Sequence, residues 1–324
     1  MIDAAIAGLG RWGRNLVNAV QGKSGKLRFV QAVVRRPDPT REFAAQHGLE
    51  LTDFERVLRD DRIQAVVLAT PHSLHARQIE AAAAAGKAVF CEKPLALTRA
   101  DAERAVEACK RAKVALGVGH DKHFWGSMRE LRRVAASGEL GEILHIEGHF
   151  SNESTGRYYG GWRATDKDAP GGGLTAMGIH ILDAFVGLVG PVQAAHAHVV
   201  SHPPAPAPVD TLSVFLEFSN RVSGVLSGVR TSPQYWRVHL FGKEGSAEAI
   251  GATALTVRKT DAQPQHFTFE PVDTLRAELE AFADAVAGGA PYPITPQQMI
   301  DGVAALEATI RSIEVNAGVV VSES

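Results

Sequence analysis

The 324-residue chain is poor in several features, and each shortage removes a class of function. It has only two cysteines, Cys91 and Cys109, both in apolar stretches. No disulfide framework is expected from them; they read as reduced core thiols of a cytoplasmic protein. Net charge is nearly absent: 34 Lys and Arg oppose 36 Asp and Glu, a formal −2. Neither nucleic acid nor an anionic membrane is therefore implied as a partner. Long apolar runs are missing too, since QAVVLAT is short and EAAAAAGKAVF is interrupted, so no membrane span is expected. No basic start with an apolar core precedes the strand-like IDAAIAG, and no secretory leader is expected. Ser and Cys nucleophile motifs are absent. His72 with His75 and His145 with His149 lack a Cys or Glu at metal spacing, so no metal site is expected.

What remains is 45% hydrophobic and 22% charged, the balance of a globular protein long enough for two domains. The first part alternates strand and helix. AAIAGLG, LRFVQAVV, QAVVLAT, AVFCEK and VALGVGH read as strands. RWGRNLVNAVQ, TREFAAQHG, DFERVLRD, HARQIEAAAAAGK and TRADAERAVEACKRAK read as helices. Such alternation predicts an α/β domain with a doubly wound parallel sheet, over residues 1–121. After Asp121 the pattern changes. A helix in SMRELRRVAASG leads into EILHIEGHF, AAHAHVV, TLSVFLEF, RVSGVLSGVR, YWRVHLFG and TVRKT, read as antiparallel strands joined by turns. HPPAPAPVD is a surface loop between strand patterns, and TLRAELEAFADAVAGG and TPQQMIDGVAALEATIRSIEVNAG are closing helices. Residues 122–324 thus form a second, α+β domain, with the closing helices free to pack back on the first.

Gly8-Leu9-Gly10-Arg11-Trp12-Gly13 lies between the first strand and the first helix, the place of a dinucleotide fingerprint. The first glycine permits the tight turn, the second lets pyrophosphate reach the backbone, and the third lets helix and strand pack closely. Free amides at the helix start then face the negative charge. The second strand ends VVRRPD, with Arg35 and Arg36 where an acid would bind the ribose hydroxyls of NAD. Guanidinium groups suit a 2′-phosphate, so NADP is expected over NAD, although Asp38 is close enough in sequence to serve the ribose. Thr70, Pro71 and His75 of TPHSLH, and Glu92 and Lys93 of CEKPLALT, follow strands at the ends where ligands of such sheets bind. The bond preceding Pro94 is a candidate for cis.

GLGRWG, TPHSLH, AGKAVFCEKP, GVGHDKHF, GELGEI, GWR before a glycine run, GIHILD, FGKEGS and ITPQQMIDGVAALEATIRS together resemble the Gfo/Idh/MocA oxidoreductase family over essentially the whole chain. That resemblance implies an N-terminal Rossmann domain and a C-terminal domain built on a large open-faced, mainly antiparallel sheet. It also implies a homodimer or homotetramer formed through that sheet. Lys93 and His180 stand at the family's catalytic lysine and histidine positions. They would manage the hydroxyl proton while hydride moves between a nicotinamide and a substrate carbon.

Two departures stand out. The family's usual aspartate one turn before the histidine is replaced by Ala176, and His123 stands where the family often has arginine. Tyr159, Arg163 and His123 are candidate substrate contacts beside Lys93, Ala176 and His180; Arg157 and Lys122 are weaker ones. The expected function is NADP-dependent oxidoreduction of a sugar-like, cyclitol or cyclic dihydrodiol-type small molecule. The competing reading is a non-catalytic redox sensor or assembly protein that keeps the cofactor pocket.

Overall fold

The structure is a computed structural model describing residues 1–153, 161–165, 167–171, 174–202 and 209–321; the side chains of Arg163, Ala164, His202, Val209 and Asp210 fall outside that description. Two compact units emerge, one of residues 1–96, 100–121 and 273–296, the other of 97–99, 122–272 and 297–324.

In the first unit the strands are β1 (Ile2–Ala7), β2 (Leu27–Val33), β3 (Glu50–Thr52), β4 (Ala65–Leu68), β5 (Ala88–Glu92) and β6 (Leu116–Gly119). The helices are α1 (Arg11–Val20), α2 (Arg41–Gln46), α3 (Phe54–Arg59), α4 (His75–Ala84) and α5 (Arg99–Ala112). All strand pairs are parallel, in the order β3-β2-β1-β4-β5-β6. This is the Rossmann order, in which chain reversal falls between β1 and β4. Every residue of β4 and β5 is buried, as expected of strands covered on both faces.

The second unit holds α6 (Gly126–Ser137), β7 (Ile143–Ser151), α7 (Ile179–Val189), and strands β8 (Val192–His202), β9 (Val209–Phe218), β10 (Ser223–Val229), β11 (Tyr235–Gly242), β12 (Gly245–Ile250), β13 (Ala254–Lys259) and β14 (Gln265–Thr268). Helix α8 (Thr274–Val286) returns to the first unit, where it packs on α1, β2, β5 and β6. Helix α9 (Pro296–Val315) and the short β15 (Val319–Val320) complete the second. The nine strands run β14-β13-β12-β11-β7-β10-β9-β8-β15. Neighbours are antiparallel except β7 and β10, which are parallel, so the sheet is mixed.

Alternation sorts this sheet into two faces. Ile146, Phe150, Leu226, Trp236, Val238 and Leu240 point into the core shared with α6, α7 and α9. The other face carries His145, His149, Ser227, Arg237, His239 and Glu248, with Phe215 64% and Tyr235 45% exposed. Four strands were not apparent in the residue pattern: β3, β14 and β15 are only a few residues long, and β12 (GSAEAI) is built from weak strand formers. The proline-rich loop at 203–208 lies outside the described residues. Among the described residues no helix is long and apolar enough to cross a membrane.

One close approach positions α7. A Cβ on Gly148 of β7 would lie 2.4 Å from Ile181 Cγ2 and 2.8 Å from the Phe185 ring, so only glycine lets the helix sit this near the sheet. Gly148→Ala should therefore lower stability by about 1–3 kcal/mol through overpacking. Chemical denaturation reads this directly, and an unchanged midpoint would mean that α7 can move away at no cost.

Candidate functional site

The turn after β1 shows three glycines with three different tasks. Gly8 has φ +99°, and a Cβ there would strike Ala69 O at 2.5 Å. A Cβ on Gly13 would fall 1.9 Å from Gly8 O, so α1 touches the strand end backbone to backbone. Gly10 is different: its Cβ would meet nothing within 4 Å. The space over Gly10 is thus open to a ligand, while the other two glycines are consumed by the turn.

Gly10 is also the N-cap of α1, and it supplies no side-chain oxygen; the first turn carries no acid. By contrast, α3 and α8 are capped by Asp53 and Asp273. The leading amides of α1 thus remain available to an anion. These features fit a dinucleotide: the turn would hold its pyrophosphate against Gly10 and the start of α1. Arg11 is exposed there, its guanidinium 5.7 Å from the centre of the Trp12 ring.

Beyond β2, Arg35 and Arg36 are both exposed. Asp38, the acid that competes for the ribose, is paired with Arg41 at 3.0 Å on the surface. Arg14 joins this loop to the glycine turn, since its Nη2 donates to Pro39 O (2.9 Å) and its Nε to Leu9 O (3.3 Å).

The ends of β4 and β5 are braced from beneath. His75 has no exposed surface, and its ring spans two main-chain carbonyls: Nδ1 lies 2.8 Å from Pro94 O and Nε2 3.0 Å from Thr70 O. It ties the segment after β4 to the segment after β5 at their carbonyls. The Thr70 hydroxyl donates to Gln78 Oε1 at 2.6 Å, and Pro71 is half-buried at the start of the following turn. Lys93 is half-buried and its bond to Pro94 is cis.

Glu92 is 6% exposed, and burial pushes its carboxyl up to about 7. The indole N–H of Trp12 and the charge of Lys93 pull the other way, while the carboxylate of Asp121 adds to the rise. The cysteines are free; burial pushes Cys91 well above the ordinary thiol range and Cys109 up to about 12, which leaves neither nucleophilic.

In the second unit, His180 occupies the first turn of α7 and is 6% exposed. A π-turn, Leu174–Gly178, leads into that helix and carries Ala176, which packs against the core. The His180 ring stands edge-on to Phe150, with centroids 6.0 Å apart. Lys122 Nζ lies 5.2 Å from the Phe150 ring centre and 5.3 Å from that of Trp125, and Trp236 meets both rings. His123 is pushed down to about 3 by burial and by Arg132, so it stays neutral. Arg132 donates to the His123 carbonyl, and burial lowers it to about 10 against the opposing charge of Asp183. Asp183 therefore acts on Arg132.

Tyr159 and Arg157 lie outside the described residues, as does the side chain of Arg163, whose backbone forms a short 3₁₀ turn. Two residues with no signal in the sequence motifs now stand out, Arg132 and Phe150, and Trp12 of the glycine turn is seen to face Glu92. Phe150 was detectable only as one inward position of an alternating strand. Among the described residues, no group of three or more His, Cys, Asp or Glu could hold a metal ion.

Residues 2–120 match the oxidoreductase family with an NAD-binding Rossmann fold, and residues 128–248 match the GFO/IDH/MocA C-terminal domain. The scyllo-inositol 2-dehydrogenase (NAD(+)) of Bacillus subtilis is 29% identical, over 89% of this chain and 87% of its own. The D-xylose 1-dehydrogenase (NADP(+)) 2 of Haloferax volcanii is 28% identical, over 82% of this chain and 83% of its own. A solved structure of levoglucosan dehydrogenase, in complex with NADH and L-sorbose, superposes with a TM-score of 0.86 at 22% identity. It covers 100% of this chain and 99% of that one, and shows the shared fold. With both halves matched in this way, the chain belongs to the Gfo/Idh/MocA family of NAD(P)-dependent oxidoreductases, enzymes of CH–OH and C=O groups.

Proposed function

We propose that the protein is an NADP-dependent dehydrogenase or reductase of a sugar-like, cyclitol or cyclic dihydrodiol-type small molecule. The observation that carries the cofactor choice is the exposed Arg35–Arg36 pair after β2, beside an Asp38 already engaged by Arg41. Two guanidinium groups can grip a 2′-phosphate through charge-assisted bonds, whereas neither accepts a hydrogen bond from a ribose hydroxyl. The relatives do not decide the matter, since one is named for NAD(+) and another for NADP(+). Arg35→Asp should weaken NADPH binding by about 1.5–3 kcal/mol and leave NADH less affected. Fluorescence titration with both cofactors tests this; equal losses would remove Arg35 from 2′-phosphate recognition.

For the chemistry, the bound nicotinamide supplies or accepts hydride at C4, and the chain manages the proton. Lys93, at the end of β5, bonds the substrate oxygen. His180, at the start of α7, accepts the hydroxyl proton in oxidation and returns it in reduction. The π-turn residue Ala176, one turn before His180, offers no carboxylate, only a methyl against the core. That favours a substrate with fewer hydroxyls on this side, because an apolar wall leaves a hydroxyl without a partner.

Removing Lys93 or His180 should each cost on the order of 10²–10⁴ in turnover. Ala176→Asp should move the histidine limb of the pH–rate profile upward, since a nearby carboxylate stabilises imidazolium. NADPH consumption across ketoses, inosose-like rings and aromatic aldehydes supplies the assay. Near-normal turnover in His180→Ala, with Lys93→Ala dead, would leave the lysine as sole proton handler.

The open face of the nine-stranded sheet is the proposed site of homo-oligomer contact. Several of its charges are paired, Arg237 with Glu147 and Arg258 with Glu248 at 3.2 Å. His239, whose pKa burial lowers, lies 3.7 Å from Glu248, and Glu217 on β9 is exposed. The His145 and His149 rings bond to Ser223 and Ser227 hydroxyls, each at 2.8 Å. A second copy covering this face would bury the exposed Phe215 and Tyr235. Sedimentation should show a dimer or tetramer at micromolar concentration, and Phe215→Glu should weaken it. A wild-type monomer would refute the assignment.

A further inference from the structure

The end of β5 holds an arrangement that the proton chemistry of Lys93 does not use. Glu92 pairs in the sheet with Gly119 of β6, and a Cβ on Gly119 would lie 2.7 Å from Glu92 Oε1. The neighbouring strand thus carries glycine where a carboxylate needs the room. Trp12, from the first turn of α1, turns its indole N–H toward that carboxylate. Yet neither Trp12 Nε1 nor Glu92 Oε1, both buried, closes a hydrogen bond within the described residues. A buried acceptor left in this state is costly unless something else answers its charge.

The charged groups facing Glu92 are Lys93, from its own strand end, and Asp121, from the segment after β6. Asp121 accepts a long bond of 3.5 Å from the Thr274 hydroxyl of α8. The surrounding elements add the neutral thiol of Cys91 on β5, the buried His120 after β6 and the buried Glu278 on α8. Among the described charges that act on Glu92, one lysine stands against the carboxylates of Glu92 and Asp121, so the site would accept further positive charge. The nicotinamide ring carries that charge only when oxidised.

We propose that Glu92 discriminates between the two redox states of the cofactor, its buried carboxylate favouring the cationic oxidised ring over the neutral reduced one. This rests on the reading above, that the nicotinamide binds at the Lys93 end of β5. The same cradle explains the sign of a pH effect. Below about pH 7 the carboxyl is protonated and neutral, and the two redox states are treated alike. Above it the carboxylate is charged and the oxidised form gains. By linkage, binding the oxidised form near neutral pH must expel a proton from Glu92, while binding the reduced form need not.

The test measures dissociation constants for NADP(+) and NADPH between pH 5.5 and 9, with calorimetry in two buffers to count released protons. In wild type, the ratio of the oxidised to the reduced constant should fall about tenfold as pH rises through about 7, the size expected of one screened charge pair. Glu92→Gln keeps the shape and removes the charge; its ratio should stay flat, and proton release on NADP(+) binding should vanish. Trp12→Phe removes the N–H that faces the carboxylate and favours its charged form, so the transition should move to higher pH. A pH-independent ratio in wild type, or an unchanged slope in Glu92→Gln, would overturn the proposal while leaving the cofactor reading intact. Failure to bind either cofactor would bring down both.

Discussion

A parallel sheet covered by helices on both faces meets solvent only at the ends of its strands. That constraint organises the first unit. Every residue of β4 and β5 is buried, so chemistry can appear only where each strand stops. Gly8 follows β1, Arg35 follows β2, Thr70 follows β4, and Glu92 with Lys93 close β5. Four stretches, scattered over more than eighty residues of sequence, are brought to one edge by strand order alone. The backbone contact of Gly13 with Gly8 then sets the start of α1 against that edge.

An edge assembled from loops needs bracing, because loops have few main-chain partners of their own. His75 and Arg14 provide it from opposite sides. His75 spans the carbonyls of Thr70 and Pro94, and Arg14 spans those of Leu9 and Pro39. Both contacts are to main-chain carbonyls. Each holds a loop whose neighbours would do the binding, and both use side chains that the motif reading assigns elsewhere or overlooks. A loop tied at its carbonyls keeps its amides and side chains free for recognition, which suits a site that must read two ends of a long cofactor.

How much of this was legible in the sequence follows from the range of the physics. Gly8, Gly10 and Gly13 were readable because a tight turn and a helix start are local, and only glycine satisfies the turn. Strand–helix alternation was readable because its period lies within a dozen residues. The parallel pairing of β10 with β7 was not, since register between distant strands leaves no local mark. The approach of Trp12 to Glu92 was invisible for the same reason: eighty residues separate them, and each alone is an ordinary member of a motif. His75 shows the converse. Its place beside the EKP stretch was legible, but its role was not, because a buried ring bonded to carbonyls and an exposed ring facing a ligand look alike in sequence.

The two units treat polarity in opposite ways, and that contrast bears on how each would contribute to a reaction. Around His180 the second unit is aromatic and apolar: Phe150 stands edge-on to the imidazole, Trp236 and Trp125 extend the wall, and Ala176 packs into the same core. Lys122 is drawn over two of those rings. Nearby charges offset one another: Asp183 acts on Arg132, and Glu147 pairs with Arg237. The end of β5 instead concentrates acids, with Glu92 buried and only partly offset by Lys93 and the Trp12 indole. An apolar wall selects a substrate by shape and excludes water, whereas a strained cluster of charge responds to any change of charge beside it. On the proposed function, binding specificity would then be the task of the aromatic unit. On the reading proposed above, sensitivity to the redox state of a bound cofactor would fall to the unit that buries Glu92 with its Oε1 unpartnered.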